Sequence, residues 1–263
     1  MMHMEDERVR MLFLLLLMPL PTVLGWGKEG HYVICKIAQG YLSEGALFSV
    51  KQLLPDSAEG DLAAVCSWAD EVRFNYHYRW SSALHYVDTP DFKCNYEYFN
   101  NLTEALLFLS HFVGDVHQPL HVGFIGDLGG NSITVRWYRR KTNLHHVWDD
   151  MIIQSALKTF YNSDLSIMIQ AIQRNITDNW SYDVSHWEHC AHNYTACPDR
   201  YASESISLAC KFAYKNATPG STLEDEYFLS RLPIVEKRLA QGGVRLAAVL
   251  NNIFASKTRT AQA

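Results

Sequence analysis

The sequence is poor in features that mark several common classes of protein. Only 19% of its 263 residues are charged and 48% are hydrophobic, which is too apolar a composition for a disordered chain. Its 23 lysines and arginines are outnumbered by 28 aspartates and glutamates, so the formal net charge of −5 gives no general attraction for nucleic acid. No Cys-x-x-Cys pair is present, which argues against a cysteine metal site. Any polyanionic partner would need a local positive charge.

Long hydrophobic runs are also scarce. Residues 11–24 are apolar and uncharged, but the run is short and interrupted by proline, which makes it a poor membrane span. Small residues follow it, a pattern that predicts a secretory signal over residues 1–25 with cleavage after Gly25. An N-terminal membrane anchor is the alternative. With the signal removed, no membrane span is expected, and the chain should be secreted or lie in the vacuole or another endomembrane compartment.

Two further features favour export. The six cysteines are even in number and all follow residue 25, which fits three disulfides in an oxidising compartment and leaves their pairing open. Five Asn-x-Ser/Thr sequons predict a glycosylated protein. The sequon asparagines are Asn101, Asn175, Asn179, Asn193 and Asn216.

The chain after residue 25 shows no linker and no internal repeat, so residues 26–263 are predicted to form one domain. Alternation of apolar and polar side chains predicts a strand over residues 132–138. Helical spacing of apolar residues predicts helices over residues 30–42, 103–116, from 145 onward, parts of 157–180, 233–240 and 244–254. Gly242 and Gly243 are expected to separate the last two. The domain is therefore predicted to be mainly α-helical with a small β element.

Histidines and aspartates recur at spacings suited to metal binding. In each of two pairs, a histidine and an aspartate stand four residues apart, which places both side chains of the pair on one helix face. Imidazole nitrogen and carboxylate oxygen are the ligand set of catalytic zinc. The candidates are His111 with Asp115, His145 with Asp149, His121 between the pairs, and Asp70 and His85 upstream.

A single His/Asp pair on a helix is more often a hydrogen-bonded couple than a metal site. The surroundings of Asp115 weaken that interpretation, because Phe112 and Val113 belong to the same apolar helix. A carboxylate in such surroundings is costly unless it is paired or bound to a cation.

Five segments carry a resemblance to a known family. They are WGKEGH at 26–31, WADEVR at 68–73, LHYVDTP at 84–90, FLSHFVGDVHQPLH at 108–121 and NLHHVWD at 143–149. Together they resemble the plant bifunctional nucleases of the zinc-dependent, single-strand-specific nuclease I family, which is related in fold to bacterial zinc phospholipase C. The resemblance implies a single-domain, mainly α-helical phospholipase C/nuclease I-like fold with a small β-hairpin and three disulfides.

The resemblance also implies three zinc ions and their ligands. Asp70, His85, His111 and Asp115 would bind the first ion. The free amine and carbonyl of Trp26 would bind the second together with His31 and the shared Asp115. His121, His145 and Asp149 would bind the third. A free amine at Trp26 requires that cleavage falls after Gly25.

The implied activity is endonuclease cleavage of single-stranded DNA and RNA. A metal-activated hydroxide would attack phosphorus and leave 5′-phosphorylated products, and 3′-nucleotides would also lose their phosphate. Arg73 would act with Asp70 and Asp115 in catalysis. Tyr86 would stack on an unpaired base. The other implied substrate contacts are Asp88, Lys93 and Asn131, and the protein is expected to be a monomer.

The resemblance suggests the disulfide pairs Cys35–Cys66, Cys94–Cys210 and Cys190–Cys197. It also shows a departure, because family members have a longer segment where this chain has residues 98–102. The shorter segment motivates one alternative, in which the chain is an inactive or poorly folded splice variant or paralogue that acts as a non-catalytic glycoprotein. A second alternative is a phospholipase C-like phosphodiesterase, which would share the metal chemistry but act on a different substrate.

Overall fold

Helices dominate the part of the chain that the computed structural model describes, which is residues 26–85, 102–190 and 195–260. The α-helices are α1 (Lys28–Tyr41), α2 (Glu44–Leu53), α3 (Trp68–Val72), α4 (Leu102–Asp115), α5 (Leu144–His146), α6 (Ile152–Phe160), α7 (Leu165–Asp178), α8 (Ser181–Glu188), α9 (Pro198–Leu208) and α10 (Asp225–Thr260). The mainly helical fold expected from the sequence is confirmed.

Tighter and wider helical turns connect these helices. The 3-10 helices are Asp56–Ala58, Leu62–Val65, Tyr76–Leu84, Pro119–Val122 and Ile125–Asp127. The π-helical turns are Val147–Met151, which joins α5 to α6, and Ala209–Ala213, which follows α9. π-helical turns are rare in proteins overall, and those that occur are often found at functional sites.

The structure also contains a small three-stranded sheet, two strands of which lie between α4 and α5 in sequence. Strands β1 (Thr134–Trp137) and β2 (Arg140–Asn143) form the predicted hairpin, with antiparallel pairing. A third strand, β3 (Thr222–Leu223), pairs in parallel with β1 and gives the order β2-β1-β3. Strand β3 was not expected from the sequence, because two residues are too short to show an alternation.

Helix α1 forms much of the core. Its apolar residues recur at helical spacing, so that Val33, Ile34, Ile37 and Ala38 all lie on one buried face. This face packs against α10. The helix predicted over residues 30–42 is therefore confirmed, and the helix predicted over 103–116 is confirmed as α4.

The expected break in the C-terminal region is wrong. A single helix, α10, runs through Gly242 and Gly243, where two helices were predicted. The glycines serve close packing: a Cβ at Gly243 would lie 2.5 Å from Cγ2 of Ile37 in α1. The intrinsic helix penalty of glycine is about 1 kcal/mol, and the packing of α10 against the core outweighs it.

Gly243→Ala is therefore expected to lower the free energy of unfolding by about 1–3 kcal/mol, the usual effect of overpacking. Gly45→Ala is the matched control, because a Cβ at Gly45 in α2 meets nothing within 4 Å. That control should raise stability by about 0.4–1 kcal/mol. Denaturant unfolding followed by circular dichroism measures both. Equal effects of the two substitutions would contradict the packing role of Gly243.

Two of the three expected disulfides are present. Cys35–Cys66 ties α1 to the turn before α3, and Cys190–Cys197 closes the loop between α8 and α9. Cys210 is exposed and forms no disulfide within the described part of the chain. Its expected partner, Cys94, lies outside the described residues, so that pairing stays a prediction.

Of the helices in the described ranges, none combines the length and the apolar character needed to cross a bilayer.

Candidate metal centre

Three groups of His and Asp side chains meet in the interior of the fold. Within each group, one potential ligand atom from every residue lies within 4.8 Å of the others. The groups are His31 with His111 and Asp115, Asp70 with His85 and His111, and His121 with His145 and Asp149. All seven candidates taken from spacing alone belong to these groups, together with His31.

Helix α4 supplies the centre of the site. His111 and Asp115 stand one turn apart, and His111 Nε2 lies 3.2 Å from Asp115 Oδ2. Gly114, between them, allows α1 to approach, since a Cβ there would lie 2.9 Å from His31 Nδ1. The i,i+4 spacing therefore places His111 and Asp115 on one face of α4, as the sequence predicted.

The two oxygens of Asp115 face different partners. Oδ2 lies 3.2 Å from His85 Nδ1 as well as from His111 Nε2. Oδ1 lies 3.3 Å from His31 Nε2 and 3.6 Å from His121 Nδ1. One carboxylate thus presents an oxygen to each of two neighbouring groups, an arrangement suited to bridging two cations.

Asp70, in α3, closes the site from another side. Its Oδ1 lies 3.4 Å from His85 Nδ1 and 3.6 Å from Arg73 Nη1. The Arg73 side chain is almost fully buried, and its guanidinium carbon also lies 4.8 Å from the centre of the Phe74 ring. Arg73 therefore brings a fixed positive charge to the edge of the Asp70 group.

The third group is built by a 3-10 helix and a π-helical turn. His121 lies in Pro119–Val122, and its Nε2 is 3.8 Å from Asp149 Oδ1. His145 Nε2 is 3.4 Å from Asp149 Oδ2. Asp149 lies in the π-helical turn Val147–Met151, where the helical register changes locally. Gln118 Nε2 donates a hydrogen bond of 2.6 Å to Asp149 Oδ1.

Backbone carbonyls orient three of the imidazoles. His111 Nδ1 donates to Cys66 O at 3.0 Å, and His145 Nδ1 donates to Gly129 O at 2.7 Å. His121 Nδ1 donates in the same way to the carbonyl of His85 at 2.9 Å. Such bonds place the hydrogen on Nδ1, so that Nε2 carries the lone pair that a metal ion would bind, an arrangement common among metal-binding histidines.

Unsatisfied polar atoms show that the donor set fits a cation. Several buried side-chain atoms of the site have no hydrogen-bond partner among the residues that the structure describes. They are both ring nitrogens of His31, Oδ1 of Asp70, Nε2 of His85 and both carboxylate oxygens of Asp115. Each unsatisfied buried polar group costs about 1–3 kcal/mol, and more if charged. Divalent ions at the first two groups would satisfy those atoms that face the carboxylates or carry the charge, which are His31 Nε2, Asp70 Oδ1 and both oxygens of Asp115.

The pKa values of the two buried carboxylates Asp115 and Asp149 are shifted in opposite directions. Burial would raise the pKa of Asp115, but the His111 and His121 imidazoles outweigh burial and hold the pKa well below its ordinary value. Burial raises the pKa of Asp149 well above its ordinary value, although His145 opposes the rise. A cation beside Asp149 would favour the ionised carboxylate there.

The start of the described chain lies against the third group. Trp26 is fully buried, and the Gly27 amide donates a hydrogen bond of 3.1 Å to Asp149 O. A Cβ at Gly27 would overlap Oδ1 of Asp150, so a larger residue there would displace the Asp150 carboxylate. Trp26 thus lies close to the metal-binding candidates, while its expected role as a ligand stays a prediction.

The expected substrate contacts are only partly described. Asn131 is half-buried, and its side chain donates to Leu128 O at 2.9 Å, in the same turn as the Gly129 carbonyl that orients His145. Tyr86, Asp88 and Lys93 lie outside the described residues. Gln118 was not among the residues expected at the site, because its contact with Asp149 depends on the approach of two segments that are separate in sequence.

Comparison with known proteins agrees with this site. A sequence model of the S1/P1 Nuclease family matches residues 26–102 and 92–255. Endonuclease 4 of Arabidopsis thaliana is 62% identical over 275 residues, covering 90% of this chain and 92% of that protein. Endonuclease 3 of the same plant is 57% identical, covering 91% of this chain and 92% of the relative. Nuclease P1 of Penicillium citrinum is 29% identical, covering 88% and 99%.

These matches extend over the helices and turns that carry the three groups of histidines and aspartates. Sequence, fold and site geometry therefore agree, and the chain belongs to the S1/P1 nuclease family.

Proposed function

We propose that this chain is a zinc-dependent endonuclease that cleaves phosphodiester bonds of single-stranded DNA and RNA and leaves 5′-phosphorylated products. It also removes the phosphate of 3′-nucleotides. The observation that carries the proposal is the Asp115 carboxylate, whose two oxygens face separate groups of histidines in one buried centre. The relatives named as endonucleases and nucleases support the same class of reaction.

The donor set suits zinc, because histidine nitrogen and carboxylate oxygen are its usual ligands in hydrolases. Asp70, His85, His111 and Asp115 would hold one ion, and His121, His145 and Asp149 another. His31, the shared Asp115 and the Trp26 amine would hold the third. When bound, zinc acidifies water and withdraws charge from the oxygens of a phosphodiester.

Arg73 binds and orients the substrate in this proposal. Its guanidinium is held beside Asp70 Oδ1 at 3.6 Å, and it can donate two parallel hydrogen bonds to phosphoryl oxygens. Charge on those oxygens rises as the phosphodiester is attacked. A cation fixed in advance stabilises this charge without reorganisation.

Single-strand preference is assigned to base stacking. Tyr86, which follows the ligand His85 directly, would stack on a base, with Asp88, Lys93 and Asn131 as further contacts. A base can offer its face to a side chain only when it is unstacked and unpaired. The negative net charge does not oppose a polyanionic substrate, because bound cations can be the largest local charges in a site.

We also propose that the chain lacks a segment that its relatives have near residues 98–102. The alignment with Endonuclease 4 is 275 residues long and exceeds the whole chain, and the two family-model matches overlap at residues 92–102. The start of α4 is anchored beyond this point, since Thr103 Oγ1 donates to Leu53 O and Tyr78 donates to Glu104. These bonds support correct placement of His111 and Asp115 without the segment.

An exposed apolar loop favours phospholipase C-like hydrolysis as a second candidate. Phe124, Ile125 and Leu128 are 49%, 62% and 54% exposed and follow His121 closely in sequence. An apolar rim of this kind suits the acyl chains of a phospholipid. A short-chain phosphatidylcholine therefore belongs among the test substrates.

The deciding experiment uses the full chain expressed with residues 1–25 in a secreting eukaryotic host. Zinc per protein chain is measured by mass spectrometry, and hydrolysis is measured on denatured DNA, duplex DNA, RNA, a 3′-nucleotide and phosphatidylcholine, with and without a chelator. Three zinc ions, one for each group, and chelator-sensitive cleavage of single strands are expected. Re-addition of zinc should restore the activity.

Other outcomes separate the alternatives. Folded protein that binds no zinc and cleaves nothing would overturn the proposal and favour a non-catalytic glycoprotein. Preferential hydrolysis of phosphatidylcholine would favour the lipid phosphodiesterase.

We infer that the protein enters the secretory pathway. Two disulfides are formed within the described ranges, and the sequon residues Asn179 and Asn216 are exposed. Asn175 is half-buried and accepts a hydrogen bond from Asn179, while Asn101 and Asn193 lie outside the described residues. Glycosidase treatment of the secreted protein should reduce its mass, and an unchanged mass would contradict glycosylation.

A further inference from the structure

Two arginines of α10 are buried behind the turn that joins Asp115 to His121. Arg238 and Arg245 are 1% and 0% exposed. Both contact one carboxylate, that of Glu204 in α9. Arg238 Nη1 lies 3.0 Å from Glu204 Oε2, and Arg245 donates to both oxygens of Glu204 at 2.6 and 2.8 Å.

The turn between Asp115 and His121 is held at three points, by Arg238, Arg245 and Ser205. Arg238 Nε donates to His117 O at 3.0 Å, and Arg245 Nη1 donates to His117 Nε2 at 3.0 Å. Ser205, next to Glu204 in α9, donates its hydroxyl to Val116 O at 2.5 Å. Because a guanidinium only donates, His117 Nε2 must accept, so its Nδ1 carries the hydrogen and donates to Val113 O at 2.6 Å.

The same turn reaches the third group of candidate ligands. Gln118 follows His117 directly, donates to Asp149 Oδ1 at 2.6 Å and accepts from the Leu120 amide at 2.5 Å. The turn therefore has Asp115 at one end and His121 at the other, with a contact to Asp149 between them. A shift of His117 would change the spacing between the Asp115 group and the His121 group.

Stability alone is a weak reason to bury these charges. Replacing a buried ion pair with apolar residues of similar volume is often neutral or stabilising, because desolvation opposes the Coulombic gain. A guanidinium offers something that an apolar side chain lacks, which is several donors in a rigid planar arrangement. Here those donors fix both the backbone and the side chain of His117.

We propose that Arg238 and Arg245, which share the carboxylate of Glu204, are positioning residues that set the distance between the Asp115 and His121 metal-binding groups. They touch neither substrate nor metal and act through His117 and Gln118. The inference rests on the proposed function, since it concerns the spacing of bound metal ions.

The test compares Arg238→Met and Arg245→Met with Arg231→Met. Arg231 is a matched control, because it is also a buried arginine of α10, but its hydrogen bonds go to Phe212 O, Lys215 O and Ser230 Oγ, away from His117. Each variant is loaded with Co²⁺, whose visible spectrum reports ligand geometry. Metal stoichiometry, metal affinity, thermal unfolding, kcat and KM are then measured.

Arg238→Met and Arg245→Met are expected to alter the Co²⁺ spectrum and to lower the affinity for at least one ion by about 10- to 100-fold, as substitutions of outer-shell residues do. For both variants, kcat should fall more than KM changes. Arg231→Met should lower the unfolding temperature but keep the wild-type spectrum and stoichiometry. Arg245→Lys keeps the charge but loses the planar donor set, so it should give an intermediate spectrum.

Folded Arg238→Met and Arg245→Met proteins with the wild-type spectrum and stoichiometry would overturn the positioning role. If the methionine variants do not fold, Arg245→Lys decides, and an unchanged spectrum for it would likewise overturn the role. A wild-type chain that binds no metal would overturn the proposed function and this inference together. Metal binding by the wild type with unaltered variants would overturn the inference alone.

Discussion

Asp115→Asn is expected to reduce cleavage of single-stranded DNA by about 1000-fold, because bound metal ions supply several kcal/mol of charge stabilisation and each 1.36 kcal/mol is worth a factor of ten. The carboxylate presents one oxygen to His31 and the other to His85 and His111. An asparagine side chain has one oxygen and no negative charge, so it cannot bridge two cations. Zinc content and initial rates measured on the same preparation test this expectation.

Asp183→Asn is the control for loss of a carboxylate. Asp183 is 45% exposed and pairs with Lys237 on the surface. An exposed pair of this kind contributes at most about 1 kcal/mol, so this variant should keep its zinc and its activity. An Asp115→Asn protein with full zinc content and the wild-type rate would contradict the bridging role of Asp115.

A second large effect is expected at the N-terminus of the processed chain. One extra residue before Trp26 should remove one zinc ion and most of the activity, because an amine becomes an amide that no longer coordinates metal. Little freedom exists to compensate: Trp26 is fully buried, and Gly27 is held by a hydrogen bond to Asp149 O and packs against Asp150. N-terminal sequencing, zinc analysis and rate measurement of both forms provide the test.

One residue added at the carboxyl end is the control for this experiment, and it should leave zinc content and rate unchanged. N-terminal sequencing of the secreted wild type should show Trp26 as the first residue. An extended protein with three zinc ions and full activity would exclude the amine as a ligand. Processing at another position would exclude cleavage after Gly25.

Local sequence determined the elements that supply most candidate ligands. The period of apolar residues in α4 and the two i,i+4 pairs, His111 with Asp115 and His145 with Asp149, could be read directly. A helix fixes the relative direction of side chains one turn apart, whatever surrounds it. Alternation along residues 132–138 predicted strand β1, whereas the pairing of β1 with β2 in a hairpin was implied by the family resemblance. The family resemblance added His31, whose single position carries no periodic signal.

Only the tertiary structure decided how these elements meet. The orientation of Asp115 between His31 and His85 and the contact of Gln118 with Asp149 depend on segments far apart in sequence. The continuity of α10 through Gly243 was missed because the penalty for glycine in a helix is local, whereas the compensating contact with Ile37 in α1 is not.

The burial of Arg238 and Arg245 likewise could not be predicted from the sequence. In the sequence they are ordinary charged residues of a helix, which are usually solvent-exposed. In the structure they face Glu204 and the turn at His117, which lie on other elements. Sequence period specifies which face a residue occupies on its own helix. The partner on that face, and therefore the geometry of the candidate metal centre, is specified by packing between elements.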